Sequence, residues 1–445
     1  EIQAWTDLPL VPFLYGVAFS VLGEARAAVQ VFTTLLFSGT VVLTYLIGKT
    51  LWDETVGFYA GALLLAMPYL LTQVPLMLVD VPTMFFLTLT VFTVIKSVER
   101  GGAGWISLSS AAVAAALLSK YSTWPLLTVV PIIVLVHVRK TPGPVLRRAA
   151  VIVLSSLSLA GVAAFMTYDV VAEQLRLLRG YQVPGLARWR ESFASTFLFQ
   201  IHPFVAAGAA YSVVIALRRK DVKYAIIGWL LLLVVVFRIE RARYLLVVFP
   251  MLALMASYGM REITNPRIRR FAALCAVISS LAVAVFGYLP FLMRTSAVNL
   301  MDAGAYLNSV DAEAVEVFAL PQTPAAVNPA VSVPLLDLFT SKRLVYLDRP
   351  APPAEREGIE RSPLRFTWEY RSPGYYRPGA AGSPGRSAVV LISGGGDQAL
   401  PDEIERRISG HRLSKAFEIS DDGFQYKTLV RVYEPVAKRP SGGRS

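Results

Sequence analysis

A single carboxylate inside an apolar run is the first group in this chain that could do chemistry. Within QVPLMLVDVPTMFF (Gln73–Phe86), Asp80 is the one charged residue, and the run stays apolar to Ile95. An ionised side chain at the centre of a membrane helix costs roughly 2.5–3.5 kcal/mol on insertion scales, so one kept at that depth marks function by default. A plainer role is compatible with it: Asp80 could cap a helix with Pro82 near its start. Arginines form the second group. Arg176, Arg179, Arg188 and Arg190 lie in a connection of roughly thirty residues between Met166 and Thr196, and Arg238, Arg241 and Arg243 lie in FRIERARY. A guanidinium grips phosphate through two parallel hydrogen bonds, which makes these arginines candidate phosphate ligands. Snorkelling toward headgroups is the alternative, stronger for Arg176 and Arg179 than for Arg241 and Arg243. His202, in FQIHPF, could carry a proton, although a hydrogen-bonded helix-start histidine is the plainer reading. His137 and His411 offer no constellation. Three scattered histidines and the lone Cys275 spell no metal site and allow no intrachain disulfide; no cofactor is specified, and a divalent metal stays open.

The elements that must position these groups are membrane helices. The chain has 445 residues, 55% hydrophobic and 17% charged, with a mean hydropathy of +0.52, a composition that excludes an ordinary soluble enzyme. Its net charge of +12 sits in short clusters between apolar runs, a pattern of membrane topology and not of nucleic-acid binding. The opening EIQAWTDLPLVPFLYGVAFSVLG, with Pro9 and Pro12, is expected to lie at the interface. Ten spans are expected, at about 26–48, 55–72, 76–96, 104–119, 121–138, 148–168, 197–217, 223–238, 243–260 and 271–293, several short of the ~20 residues a bilayer asks for.

Loop charge orients them. Lys49; Lys96 and Arg100; Arg139, Lys140, Arg147 and Arg148; Arg218, Arg219, Lys220 and Lys223; and Arg261, Arg267, Arg269 and Arg270 fall in alternate connections, which the positive-inside rule puts in the cytoplasm. Reading 105–138 as two short spans keeps that alternation. Both ends of the chain then lie outside, and a span or removed signal segment upstream of Glu1 is expected. The arginine-bearing connections 166–196 and 238–243 fall outside as well, against the rule, as if something there holds them.

After about residue 296 the long apolar runs stop and Pro, Gly, Asp and Glu rise, so two parts are expected: a membrane domain over 1–295 and a soluble α/β domain over 296–445, on the outer face. Strands are expected at 315–320, 343–348, 388–393, 413–419 and 426–434, with helices near 300–309, 331–339 and 402–409. A long loop fills 349–386, SGGGD after the third strand reads as a turn more readily than as a phosphate nest, and the tail AKRPSGGRS is expected to be disordered. The fold class is thus a polytopic α-helical membrane protein with a C-terminal soluble α/β domain.

Over about residues 5–293 the sequence resembles the GT-C superfamily of polyprenyl-phosphate-dependent glycosyltransferases, in particular the aminoarabinose transferases and the protein O-mannosyltransferase-like family. The likeness rests on DLPLVPFLYGVAFSVLG, on the segment opening VDVPTMFF, on ALLSKYSTWPLL and on RARYLLVVFPMLALMASYGM. It implies a GT-C-like fold. Asp80 matches the family's Asp before proline, Lys120 with Tyr121 match a lysine at the outer end of a short helix, and Arg243 with Tyr244 match an Arg-Tyr pair. Where relatives read Glu-Lys-Pro-Pro-Leu, this chain has Thr6, Asp7, Leu8, Pro9 and Leu10, so the usual lysine is absent. The family's principal acidic residue of the first outer loop has no clear match and is expected upstream of Glu1.

Residues and resemblance together imply an inverting membrane glycosyltransferase of the inner or plasma membrane. It would move sugar from a polyprenyl-phosphate donor to a lipid, glycan or protein acceptor on the outer face. Asp80 is the expected base or acceptor-orienting group, with Asp7 as the further acidic candidate. Lys120, Tyr121, Arg188, Arg190, His202, Arg241, Arg243 and Tyr244 are expected to bind substrate. The partners are the donor, the acceptor and membrane lipid, without nucleic acid. A transporter or lipid flippase is the alternative, since intramembrane carboxylates also mark ion pathways; it predicts inverted halves with matching broken helices, and no such symmetry is visible. A non-catalytic membrane scaffold is the third reading.

Overall fold

A computed structural model describes residues 8–139, 141–179, 200–237, 242–295, 297–320, 329–347, 386–394, 398–421 and 426–436. The chain divides into two compact units, Glu1–Tyr288 and Leu289–Ser445.

The first unit is helical. Helix α1 (Leu10–Leu22) buries Val11, Tyr15 and Ala18, spaced four and three apart on one stripe, and exposes Phe13, Val17 and Val21. Its 13 residues reach about 20 Å, short of the ~30 Å hydrocarbon core. Helices α2 (Arg26–Leu51) and α3 (Glu54–Ala66) follow, the second capped by Asp53, whose carboxylate accepts from the Val56 N–H at 2.9 Å. The two helices touch backbone to backbone: a Cβ on Gly48 would come within 2.7 Å of the Gly57 Cα, so only glycine fits there. The expected span 55–72 is divided. Met67 is extended (ψ 124°) and Pro68 starts a separate helix, α4 (Pro68–Gln73), because proline disfavours helical geometry in the residue before it and donates no N–H.

Helices α5 (Asp80–Arg100) and α6 (Ala103–Ser119) form a hairpin through Gly101 and Gly102, both at positive φ. Most buried hydroxyls of α5 are satisfied locally: Thr83, Thr88 and Thr93 donate to carbonyls four residues back, and Ser97 and Ser109 bridge the hairpin at 2.6 Å, whereas the buried Thr90 hydroxyl has no partner among the described residues. Two 3₁₀ turns (Tyr121–Thr123 and Pro125–Thr128) lead into α7 (Val129–Val138), then α8 (Pro142–Met166), α9 (Tyr168–Leu177), α10 (Pro203–Arg219) and α11 (Tyr224–Val236). A short helix, Ala242–Leu245, and a 3₁₀ turn, Leu246–Val248, enter α12 (Phe249–Met260), and α13 (Pro266–Ala282) runs on through a π turn to Tyr288.

Against ten expected spans, the described residues hold six helical stretches long and apolar enough to cross a membrane: 26–51, 80–100, 121–138, 142–166, 243–260 and 266–288. The other apolar helices, α3, α6, α10 and α11, have 13, 17, 17 and 13 residues. Proline truncates two of them: α3 stops before Pro68, and α10 starts only at Pro203 within the run expected from 197. The protein is a multi-pass membrane protein.

The second unit opens with α14 (Leu289–Thr295) and α15 (Val298–Leu307), followed by β1 (Ala314–Ala319), α16 (Pro329–Asp337), β2 (Arg343–Tyr346), β3 (Ser387–Ser393), α17 (Asp402–Ile408), β4 (His411–Asp421) and β5 (Tyr426–Pro435). Apart from α14, these are the five strands and three helices read from the sequence, with shifted ends. The sheet order is β2-β1-β3-β5-β4, parallel among the first three strands and antiparallel at β3/β5 and β5/β4. β1 and β3 read as nearly continuous apolar runs because both faces are covered. Val315, Val317, Val390 and Ile392 pack under α15 and α16, and Phe318, Val389 and Leu391 pack against Ile404 of α17. The exception is Glu316, 3% exposed, whose carboxylate takes a two-pronged pair from Arg407 at 2.5 and 2.6 Å; that pairing holds the guanidinium above its ordinary pKa. Ser393 of SGGGD ends β3, and Gly395–Asp397 lie outside the described residues.

Candidate active site

Asp80 stands in the first turn of α5 and is fully buried. Its side chain makes no helix cap. Oδ1 accepts from Lys120 Nζ at 2.5 Å and Oδ2 from Arg243 Nε at 2.7 Å, so one carboxylate joins two cations that are 40 and 163 residues away in sequence. A buried carboxylate is tolerated when it is paired and hydrogen-bonded, and the positive end of the α5 dipole adds to the effect.

Lys120 is held by the way α6 ends. It is extended (φ −160°, ψ 136°), which stops the helix, and the carbonyls left open in the last turn find local donors: Thr123 Oγ1 donates to Ala116 O at 2.7 Å and to Lys120 O at 2.5 Å, and Trp124 Nε1 donates to Leu117 O at 2.9 Å. Thr123 and Trp124 thus supply the cap that lets the lysine leave the helix axis. With 5% of its surface exposed, Lys120 lies with Nζ 4.8 Å from the centre of the Tyr244 ring. The hydroxyls of Tyr244 and Tyr121 are 3.3 Å apart. Arg243 sits on the short helix 242–245, anchored by the buried Leu245 and Leu246, and its side chain stays 37% exposed. Among the described residues, one carboxylate against two cations leaves the cluster with one positive charge in excess, and Arg243 uses only Nε on Asp80. This arrangement can receive an anion.

Five candidate residues, Asp80, Lys120, Tyr121, Arg243 and Tyr244, therefore meet in one place. His202 does not join them: it is 3% exposed, its Nδ1 accepts from the Phe204 N–H at 3.4 Å at the start of α10, and its φ is +110°. Asp7, Arg188, Arg190 and Arg241 lie outside the described residues, and Arg176 pairs with Glu173 at 2.7 Å. Among the described residues no group of three or more His, Cys, Asp or Glu side chains is placed to hold a metal. A divalent ion does not fit Asp80 as it stands, because both oxygens are already taken by cations. One neighbour escaped the sequence reading. The Tyr15 hydroxyl donates to Leu78 O at 2.9 Å, and burial pushes its pKa up to about 12, with the Asp80 carboxylate adding to the rise. The signal was Tyr15's place on the buried stripe of α1.

Residues 7–167 match the family model of dolichyl-phosphate-mannose-protein mannosyltransferases. The fold is similar to that of ArnT from Cupriavidus metallidurans in the apo state, with a TM-score of 0.55 at 13% identity, over 96% of this chain and 88% of that one. The family match covers only the N-terminal part of the chain, and the structural likeness shows a GT-C-like fold. The same GT-C fold is matched by ArnT bound to undecaprenyl phosphate, with a TM-score of 0.53 at 14% identity over the same shares of the two chains. No curated protein matches. Asp80, Lys120 and Tyr121 fall inside the segment covered by the family model, and Arg243 and Tyr244 fall beyond it.

Proposed function

We propose that the protein transfers a sugar from a polyprenyl-phosphate-linked donor to a lipid, glycan or protein acceptor at the outer face of the inner or plasma membrane, with residues 296–445 as an extracytoplasmic domain. The observation that carries this reading is the buried Asp80 holding Lys120 and Arg243 with one positive charge to spare, in a GT-C fold one of whose structural neighbours binds undecaprenyl phosphate. The donor phosphate docks on Arg243 and Lys120, where a guanidinium and an ammonium stabilise the charge that develops as it leaves. The acceptor's nucleophile attacks the anomeric carbon on the face away from the phosphate, the carbon–oxygen bond to phosphate breaks, polyprenyl phosphate departs with the electron pair, and the configuration inverts. In the resting site Asp80 orients the two cations. When phosphate draws them off, one carboxylate oxygen is free to orient the acceptor or accept its proton. Tyr121 and Tyr244 line the lysine, Arg188, Arg190 and Arg241 are retained as substrate-binding candidates, and Asp7 as the second acid.

Purified protein given a polyprenyl-phosphate sugar should release polyprenyl phosphate in step with glycosylated acceptor. Movement of solute or lipid across proteoliposomes without sugar transfer would favour the transporter reading instead. Sidedness has its own check. In a Cys275→Ser background, a Ser383→Cys variant should react with a membrane-impermeant maleimide added to intact cells; protection until lysis would reverse the orientation.

A further inference from the structure

The turn that presents Asp80 has a backbone defect written into the sequence. Val79 already has helical dihedrals (φ −72°, ψ −15°), and Asp80 and Val81 continue the helix, so the Leu78 carbonyl is directed along the axis toward the backbone nitrogen of residue 82. That residue is Pro82, which has no N–H to give. The next bond is normal, Thr83 N to Val79 O at 3.0 Å. A carbonyl left open here, one residue before the buried Val79, would be costly. The Tyr15 hydroxyl fills the gap at 2.9 Å from Leu78 O. Its ring is fixed independently, edge-on to Phe32 with centroids 5.2 Å apart and clustered with Val11, Val29 and Val79.

We infer that Tyr15 is a positioning residue: its hydroxyl supplies the hydrogen bond that Pro82 withholds from Leu78 and so fixes the first turn of α5, on which Asp80 meets Lys120 and Arg243. Tyr15 and Pro82 are then one device, a donor on α1 serving a vacancy made by Asp-x-Pro, and α1 reaches the site through the backbone without touching substrate. The catalytic consequence rests on the function proposed above; the link between Tyr15 and Leu78 does not.

The test pairs a loss with a repair. Tyr15→Phe keeps the ring packing and removes the donor. Pro82→Ala restores an N–H aimed at Leu78 O and makes the tyrosine hydroxyl dispensable. In nanodiscs, amide exchange over residues 76–83 should be faster in Tyr15→Phe than in wild type and return to the Pro82→Ala level in the double variant. In sugar transfer from a polyprenyl-phosphate donor, Tyr15→Phe should lower kcat about tenfold with little change in donor KM, since a reacting group is misplaced and no contact to the donor is lost. The double variant should match Pro82→Ala within about twofold. Unchanged exchange and kcat in Tyr15→Phe, or a double variant no better than Tyr15→Phe, would overturn the inference. Absence of transfer in wild type would instead overturn the proposed function, while the exchange rates would still decide the Tyr15–Leu78 link.

Discussion

Asp80→Asn should lower sugar-transfer turnover by about 10² or more in protein that still folds. Asparagine keeps the shape and one acceptor oxygen, which can stay with Lys120, but it loses the charge and turns an N–H₂ toward a cation. Removing one partner of a buried ion pair costs about 3–5 kcal/mol when the other charge is stranded. The retained oxygen and the exposure of Arg243 should keep the loss below that range, so melting should shift downward without collapse. A cap would behave otherwise, since Asn and Asp cap helices about equally well. Turnover by purified Asp80→Asn, read beside its melting curve, separates the two. Near-normal turnover would remove Asp80 from catalysis and turn attention to Asp7.

Arg243→Ala should raise donor KM and cut kcat/KM by about 10², with folded yield close to wild type. The cluster then has one carboxylate and one cation, and its excess positive charge is gone. The side chain is partly exposed, and its neighbours Leu245 and Leu246 carry the core packing, so the fold loses little. Arg243→Lys should recover part of the effect, because it restores charge without the planar fork. Donor kinetics unchanged in well-folded Arg243→Ala would take this arginine out of the site.

Asp80 was legible in the sequence as a candidate because a lone carboxylate in an apolar run is costly at membrane depth. The strands of the C-terminal unit were legible for a related reason: short runs rich in Val, Leu, Ile and Tyr, such as AVVLIS, are bounded by turn residues. Lys120 and Tyr244 came from resemblance. Nothing local in ALLSKYSTW says that the lysine leaves its helix to meet a carboxylate 40 residues back, since that depends on how Thr123 and Trp124 cap the helix end. Tyr15 was missed because its partner is a backbone carbonyl, which has no sequence signature except the proline that orphans it. The divided spans show the opposite fault: hydropathy averages across Met67 and Pro68, whereas backbone hydrogen bonding stops there.

The central claim, that Asp80, Lys120 and Arg243 form a phosphate-receiving site, is tested most directly by binding of a polyprenyl monophosphate to the purified protein, compared with the uncharged polyprenol of the same length. The account predicts that wild type prefers the phosphate by at least about tenfold and that Lys120→Met and Arg243→Ala each erase most of that preference while binding polyprenol as wild type does. Equal affinity of wild type for phosphate and polyprenol, or a preference untouched in both variants, would contradict it.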